Sequence, residues 1–129
     1  MSYCIEDTVT KHAVIVDPTW EVEKILTFIK DNQFQLVELW LTHAHYDHIQ
    51  GIDLCYLDYP NIPLCVHELE SDTLELKYNV NKIQASEYLL LGESKWQIIF
   101  TPGHSPGGVC FYNAPYLITG DTLFINGCG

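Results

Sequence analysis

Thr42-His43-Ala44-His45-Tyr46-Asp47-His48 constrains this chain more than any other stretch. Three histidines and one aspartate fall within six consecutive positions. Neutral imidazole is the commonest metal-binding side chain, and a neighbouring carboxylate adds a hard, charged oxygen. The run follows Val37-Glu38-Leu39-Trp40-Leu41, which is apolar apart from Glu38 and reads as a buried strand. The cluster therefore hangs off the end of a rigid element, where function usually sits. His43 and His45 are two residues apart, so on extended backbone both point the same way and can grip one ion. Asp47 and His48 open a helix expected over residues 47–57, with Ile49, Ile52, Leu54 and Leu57 as its apolar positions. Adjacent helical residues point about 100° apart. The pair can therefore aim away from His43 and His45, towards a second ion. A polar loop with chance histidines and a closed structural zinc site are the rival readings; closed sites favour cysteine-rich sets.

Further ligand candidates lie downstream. Thr101-Pro102-Gly103-His104-Ser105-Pro106-Gly107-Gly108 carries His104 in a turn-rich loop after the apolar strand Gln97-Ile98-Ile99-Phe100. Asp121 follows the apolar run Tyr116-Leu117-Ile118 within Gly120-Asp121-Thr122-Leu123-Phe124. Taken alone, it would serve equally as a turn residue or helix N-cap. Asp17 ends the strand Ala13-Val14-Ile15-Val16, and Thr19 is the expected N-cap of the following helix.

The ordered set Asp17-Pro18, residues 42–48, residues 101–108 and Gly120-Asp121-Thr122-Leu123-Phe124 resembles the metallo-β-lactamase superfamily. The segment 120–129 is similar to the glyoxalase II-like, hydroxyacylglutathione hydrolase branch. It is also similar to persulfide dioxygenases and to the glyoxalase II-like thioesterases attached to polyketide pathways. The resemblance implies that His43, His45 and His104 bind a first metal, Asp47 and His48 a second, and that Asp121 bridges both. Asp17 would orient a ligand. The implied cofactor is zinc, as one or two ions, with iron or manganese as alternatives. The implied chemistry is hydrolysis of a small-molecule thioester by metal-activated water, with Asp47 orienting the nucleophile. A dioxygenase would instead use one iron on His43, His104 and Asp121. The third alternative is an inactive, metal-binding remnant. The family's second site takes one more histidine, from a later loop. Neither His12 nor His67 matches it, and both are expected at the surface. The chain thus reads as a C-terminally truncated family member or a fragment, with the extreme N-terminal strand also absent.

Composition supports one globular domain over residues 1–129, at 47% hydrophobic and 12% aromatic residues. Net charge is −11, with six lysines and no arginine, which argues against a nucleic-acid surface. No apolar run reaches membrane-span length, no secretory signal is visible, and no membrane partner is expected. Five cysteines without a C-x-x-C pair read as reduced thiols in a cytoplasmic protein. Cys65 and Cys110 belong to apolar strands, and Cys128 is a loop residue near the expected site.

The expected path is strand 2–6, strand 12–17, helix 20–31, strand 36–42, helix 47–57, strand 63–66 and helix 68–76. A polar stretch follows, then strands 96–100, 109–112 and 116–119, the last two joined at Asn113-Ala114-Pro115. The first helix buries Val22, Ile25, Leu26 and Ile29, spaced i, i+3, i+4 and i+7. This is an α/β chain. The resemblance refines it to a metallo-β-lactamase-like αββα sandwich, largely its N-terminal half. Such a half would leave the inner face of its sheet without a partner sheet, exposing a surface for self-association.

Overall fold

The computed structural model describes residues 1–129. Strands β1 (Tyr3–Asp7) and β2 (His12–Val16) form an antiparallel hairpin, and helix α1 (Val22–Asp31) leads to β3 (Gln35–Trp40). Two short helices, α2 (Tyr46–Ile49) and α3 (Ile52–Asp58), precede β4 (Leu64–His67). A 3₁₀ turn, Glu68–Glu70, then leads to β5 (Val80–Ile83). These strands make one sheet in the order β1-β2-β3-β4-β5, with β2 to β5 parallel. Strands β6 (Tyr88–Leu91), β7 (Ser94–Phe100), β8 (Val109–Asn113) and β9 (Tyr116–Ile118) form a second, antiparallel meander. A small hairpin, β10 (Leu123–Phe124) with β11 (Gly127–Cys128), closes the chain.

Both faces of the parallel sheet are buried, which explains the unbroken apolar run of β2. Ala13 and Ile15 face a core shared with Val22, Leu26 and Ile29 of α1 and Ile52 and Cys55 of α3. Val14 and Val16 face the opposite way. They join Trp40 and Cys65 against Leu89, Trp96, Ile98 and Phe111 of the meander. The Trp40 ring lies 5.4 Å from that of Phe111 and 6.1 Å from that of Trp96, so aromatic packing ties the sheets together.

The expectation of an unpartnered inner face is therefore corrected. The meander supplies the second sheet: Trp96 and Ile98 of the expected strand β7 alternate inwards, joined by Leu89 and Leu91 of β6, a strand that the sequence reading passed over. The open face is instead the outer side of the meander. Tyr88, Leu90, Ile99, Tyr112 and Leu117 stand exposed there.

Other differences are local. The helix expected over 47–57 breaks at Gly51, whose N–H turns to the Pro18 carbonyl at 2.9 Å. A side chain there would sit 2.2 Å from the Thr19 carbonyl oxygen, so the break is where two segments meet closely. The first helix is entered from Glu21, not Thr19. The Thr19 carbonyl accepts the Val22 N–H, and its hydroxyl pairs with that of Ser2. The helix expected over 68–76 shrinks to one 3₁₀ turn and isolated turns. Its leucines offer no continuous face: Leu74 is buried while Leu69 and Leu76 are exposed. His67 is buried rather than at the surface, with its ring stacked on Phe100 at 4.7 Å. His12 is half-buried at the start of β2. No helix is long and apolar enough to cross a membrane.

Candidate metal centre

Three neighbouring parallel strands deliver polar groups at their C-terminal ends, the edge where open α/β sheets place ligands. The register pairs Val16 with Trp40 and Trp40 with Cys65, so the residues after β2, β3 and β4 emerge side by side. Asp17 follows β2, Thr42 to His48 follow β3, and Glu70 follows β4. The second sheet contributes His104 from the β7–β8 loop and Asp121 after β9. The Val109 N–H donates to the Thr42 carbonyl at 2.9 Å and joins the two contributions.

Asp17 organises the first group. It is 1% exposed and holds a left-handed backbone, φ 49°, rare for a non-glycine residue. Its Oδ1 accepts the Thr42 N–H at 2.7 Å, and its Oδ2 accepts the Thr42 hydroxyl at 2.6 Å. The same Oδ2 lies 2.9 Å from His48 Nδ1, which donates to it. With its proton given to Asp17, the Thr42 hydroxyl is left to accept from His43 Nδ1 at 3.0 Å. Both histidines are thereby fixed with the lone pair on Nε2.

Those lone pairs have no protein donor to meet. His43 Nε2 is buried and has no hydrogen-bond partner. His48 Nε2 faces Asp121 Oδ1 at 3.2 Å, an acceptor opposite an acceptor whenever the ring is neutral. His104 Nε2 lies 3.0 Å from His45 Nδ1 and 3.4 Å from Asp121 Oδ2. The imidazoles of His43, His45 and His104 sit 4.6 to 5.0 Å apart by ring centroid. Burial and the neighbouring His48 push the His43 pKa down to about 4, against the opposing pull of Asp17, so this ring is neutral. Burial also acts to lower His48, but the Asp17 hydrogen bond and charge, with Asp121, raise it overall. Converging lone pairs, a partnerless buried nitrogen and an adjacent carboxylate suit a cation, which would satisfy all of them together.

Two sets of ligand atoms close within 4.8 Å: His43, His45 and His104; and His43, His48 and Asp121. His43 belongs to both. The trio His43, His104 and Asp121 is not one of them. Asp47 stands at the rim, its side chain 72% exposed and 3.8 Å from His48 Nε2, outside both sets. Gly120 brings Asp121 in. Its φ is +51°, and a side chain there would lie 2.3 Å from the Thr42 hydroxyl.

Two contributors escaped the sequence reading. Thr42 relays Asp17 to His43. Glu70 contacts the backbone of both histidine loops. The available signal for Glu70 was its position: it follows an apolar parallel strand, as Asp17 and His43 do.

Comparison with known proteins places the chain in a family. The profile of the metallo-beta-lactamase superfamily matches residues 1–129. A probable polyketide biosynthesis zinc-dependent hydrolase of Bacillus subtilis, PksB, is 34% identical over 98% of this chain and 56% of its own length. A hydroxyacylglutathione hydrolase of Buchnera aphidicola is 38% identical over 90% of this chain and 44% of its own. The crystal structure of TTHA1623 in a di-iron-bound form superposes with a TM-score of 0.81 at 26% identity, over 99% of this chain and 70% of that one. The chain spans about half the length of the curated relatives it matches. A profile match along the whole chain, on an α/β sandwich with this histidine arrangement, makes the chain a member of the metallo-β-lactamase superfamily.

Proposed function

We propose that this chain carries the metal-binding half of a zinc-dependent hydrolase acting on a small-molecule thioester. The observation that carries the reading is His43 Nε2. It is a buried, partnerless lone pair common to two converging ligand sets. The names of its relatives, a zinc-dependent hydrolase and a hydroxyacylglutathione hydrolase, support zinc and a thioester of the hydroxyacylglutathione or acyl type. A di-iron-bound relative supports the pairing of two sites and leaves iron as the alternative metal.

His43, His45 and His104 would hold the first ion, and His48 with Asp121 and the shared His43 would border the second. When bound, zinc supplies a Lewis acid for the thioester carbonyl and hydroxide near neutral pH. The chain's own residues do the rest. Asp17 and Thr42 hold the His48 and His43 rings in one tautomer, leaving Nε2 free to ligate. Asp47, exposed at the rim beside His48, would accept a proton from the attacking water and orient it. Leu123, Phe124 and Ile125 line a 730 Å³ cleft that reaches His48 and Asp121, an apolar approach suited to an acyl chain.

The test is metal content and turnover measured on one sample. Zinc should bind, and hydrolysis of S-D-lactoylglutathione or a simple acyl thioester should be abolished by a chelator and restored by zinc. The set with three imidazoles should fill before the set containing Asp121. A zinc-loaded chain that leaves every thioester intact would refute the assignment. Oxygen uptake by an iron-loaded chain would support the dioxygenase reading instead.

A further inference from the structure

We propose that Glu70 is a positioning residue that clamps the two histidine loops at a fixed separation; the proposal rests on the metal reading above. The loops come from different sheets, and His104 lies 59 positions after His45. No local geometry sets the distance between them. The Glu70 carboxylate spans the gap. Its Oε2 accepts the Ala44 N–H at 3.1 Å, and its Oε1 accepts the Gly107 N–H at 2.7 Å. Ala44 lies between His43 and His45, and Gly107 lies three residues past His104. One carboxylate therefore anchors the backbone on both sides of the first ligand set.

Packing reinforces the clamp. A side chain at Gly107 would lie 2.6 Å from Glu70 Cγ and 3.1 Å from His67 Nδ1, so the loop rests directly on the Glu68–Glu70 turn. That turn is itself held. His67 Nδ1 accepts the Leu69 N–H, and the His67 ring stacks on Phe100, the last residue of β7 before the His104 loop. Glu70 makes no ion pair with any lysine, so no cation competes with the two amides for its carboxylate. Burial opposes its charge. The Gly107 amide, with the nearby Ser105 hydroxyl and the Ala44 amide, outweighs burial and holds the carboxyl below its ordinary range.

The chemistry needs a carboxylate. An ionised carboxylate only accepts, and has an oxygen for each amide. Glutamine has nearly the same shape, but its NH₂ group would meet one of the two N–H groups, donor against donor. Glu70→Gln should therefore release one loop while leaving the fold in place.

The experiment compares wild type, Glu70→Gln and Gly107→Ala, with Glu68→Gln as a control on the same turn. Zinc affinity is measured by competition with a chromophoric chelator. Amide exchange at Ala44 and Gly107 is followed by NMR on metal-free protein. Glu70→Gln should weaken zinc binding about 10- to 100-fold, the range for groups that orient metal ligands. It should also speed exchange at one or both amides. Gly107→Ala should weaken zinc similarly, and Glu68→Gln should match wild type in both readouts. Wild-type zinc affinity in Glu70→Gln overturns the proposal, even if melting temperature falls, because the residue would then be merely structural. If Glu70→Gln does not fold, Gly107→Ala decides by the same criterion. Failure of the wild-type chain to bind zinc would refute the metal reading. The exchange data would then decide separately whether Glu70 ties the loops.

Discussion

His43 is the residue on which both ligand sets depend, and its neighbours divide between them. His45 and His104 belong to one set, and His48 and Asp121 to the other. Substitutions should therefore be unequal. His45→Ala should remove the first ion and leave residual binding at the second. His48→Ala should do the reverse, and His43→Ala should abolish both. Metal stoichiometry after gel filtration reads this out, and equal loss in all three variants would mean one indivisible site. The histidines and aspartates were legible in the sequence because ligand chemistry restricts residue type and because the cluster follows an apolar strand. Glu70 was not legible as a contributor. A glutamate on a polar turn looks like solvated surface until the β7–β8 loop is seen resting on it.

At the scale of elements, strands β2, β3 and β7 and helix α1 follow from hydrophobic period alone. The places that depart from it are contacts between segments distant in sequence. Gly51 interrupts the expected helix because its N–H serves the Pro18 carbonyl. Strand β5, Val80-Asn81-Lys82-Ile83 at a sheet edge, is hidden by its solvent-facing polar residues; β6 is a short apolar run, Tyr88–Leu91, that the sequence reading passed over within a mostly polar stretch. Gly120 is the most demanding element junction. It combines a left-handed backbone with contact against Thr42. Gly120→Ala should cost about 1–3 kcal/mol from the strained backbone and the overpacked contact. It should also weaken metal binding by displacing the Thr42 hydroxyl from Asp17. Urea denaturation of the metal-free chain, paired with zinc titration, measures the two effects separately.

The whole molecule is held by an aromatic contact between its sheets and is open on one outer face. Phe111 is fully buried against Trp40. Phe111→Ala should destabilise the chain by about 3–5 kcal/mol, through lost burial and the cavity left behind. A denaturation midpoint close to wild type would mean that the sheets are not coupled there. The outer face of the meander behaves differently. Leu90 and Ile99 are exposed on it, 60% and 37% respectively, so lysines there should change stability by no more than about 0.5 kcal/mol. If copies of the chain associate through this apolar face, the double substitution should lower concentration-dependent light scattering. Unchanged scattering would place any self-association elsewhere.

The sequence by itself determined the superfamily, the residue types available to a metal site and the chain order of the main strands. Metal ligation admits few residue types, and buried parallel strands demand unbroken apolar runs. Only the tertiary structure decided which residues converge. The sharing of His43, the relay from Asp17 through Thr42, the rim position of Asp47 and the clamp at Glu70 all join segments far apart in the chain. So does the presence of a second sheet over the first. Such contacts depend on how two sheets stack and how loops meet at their ends, and local sequence period carries no record of that.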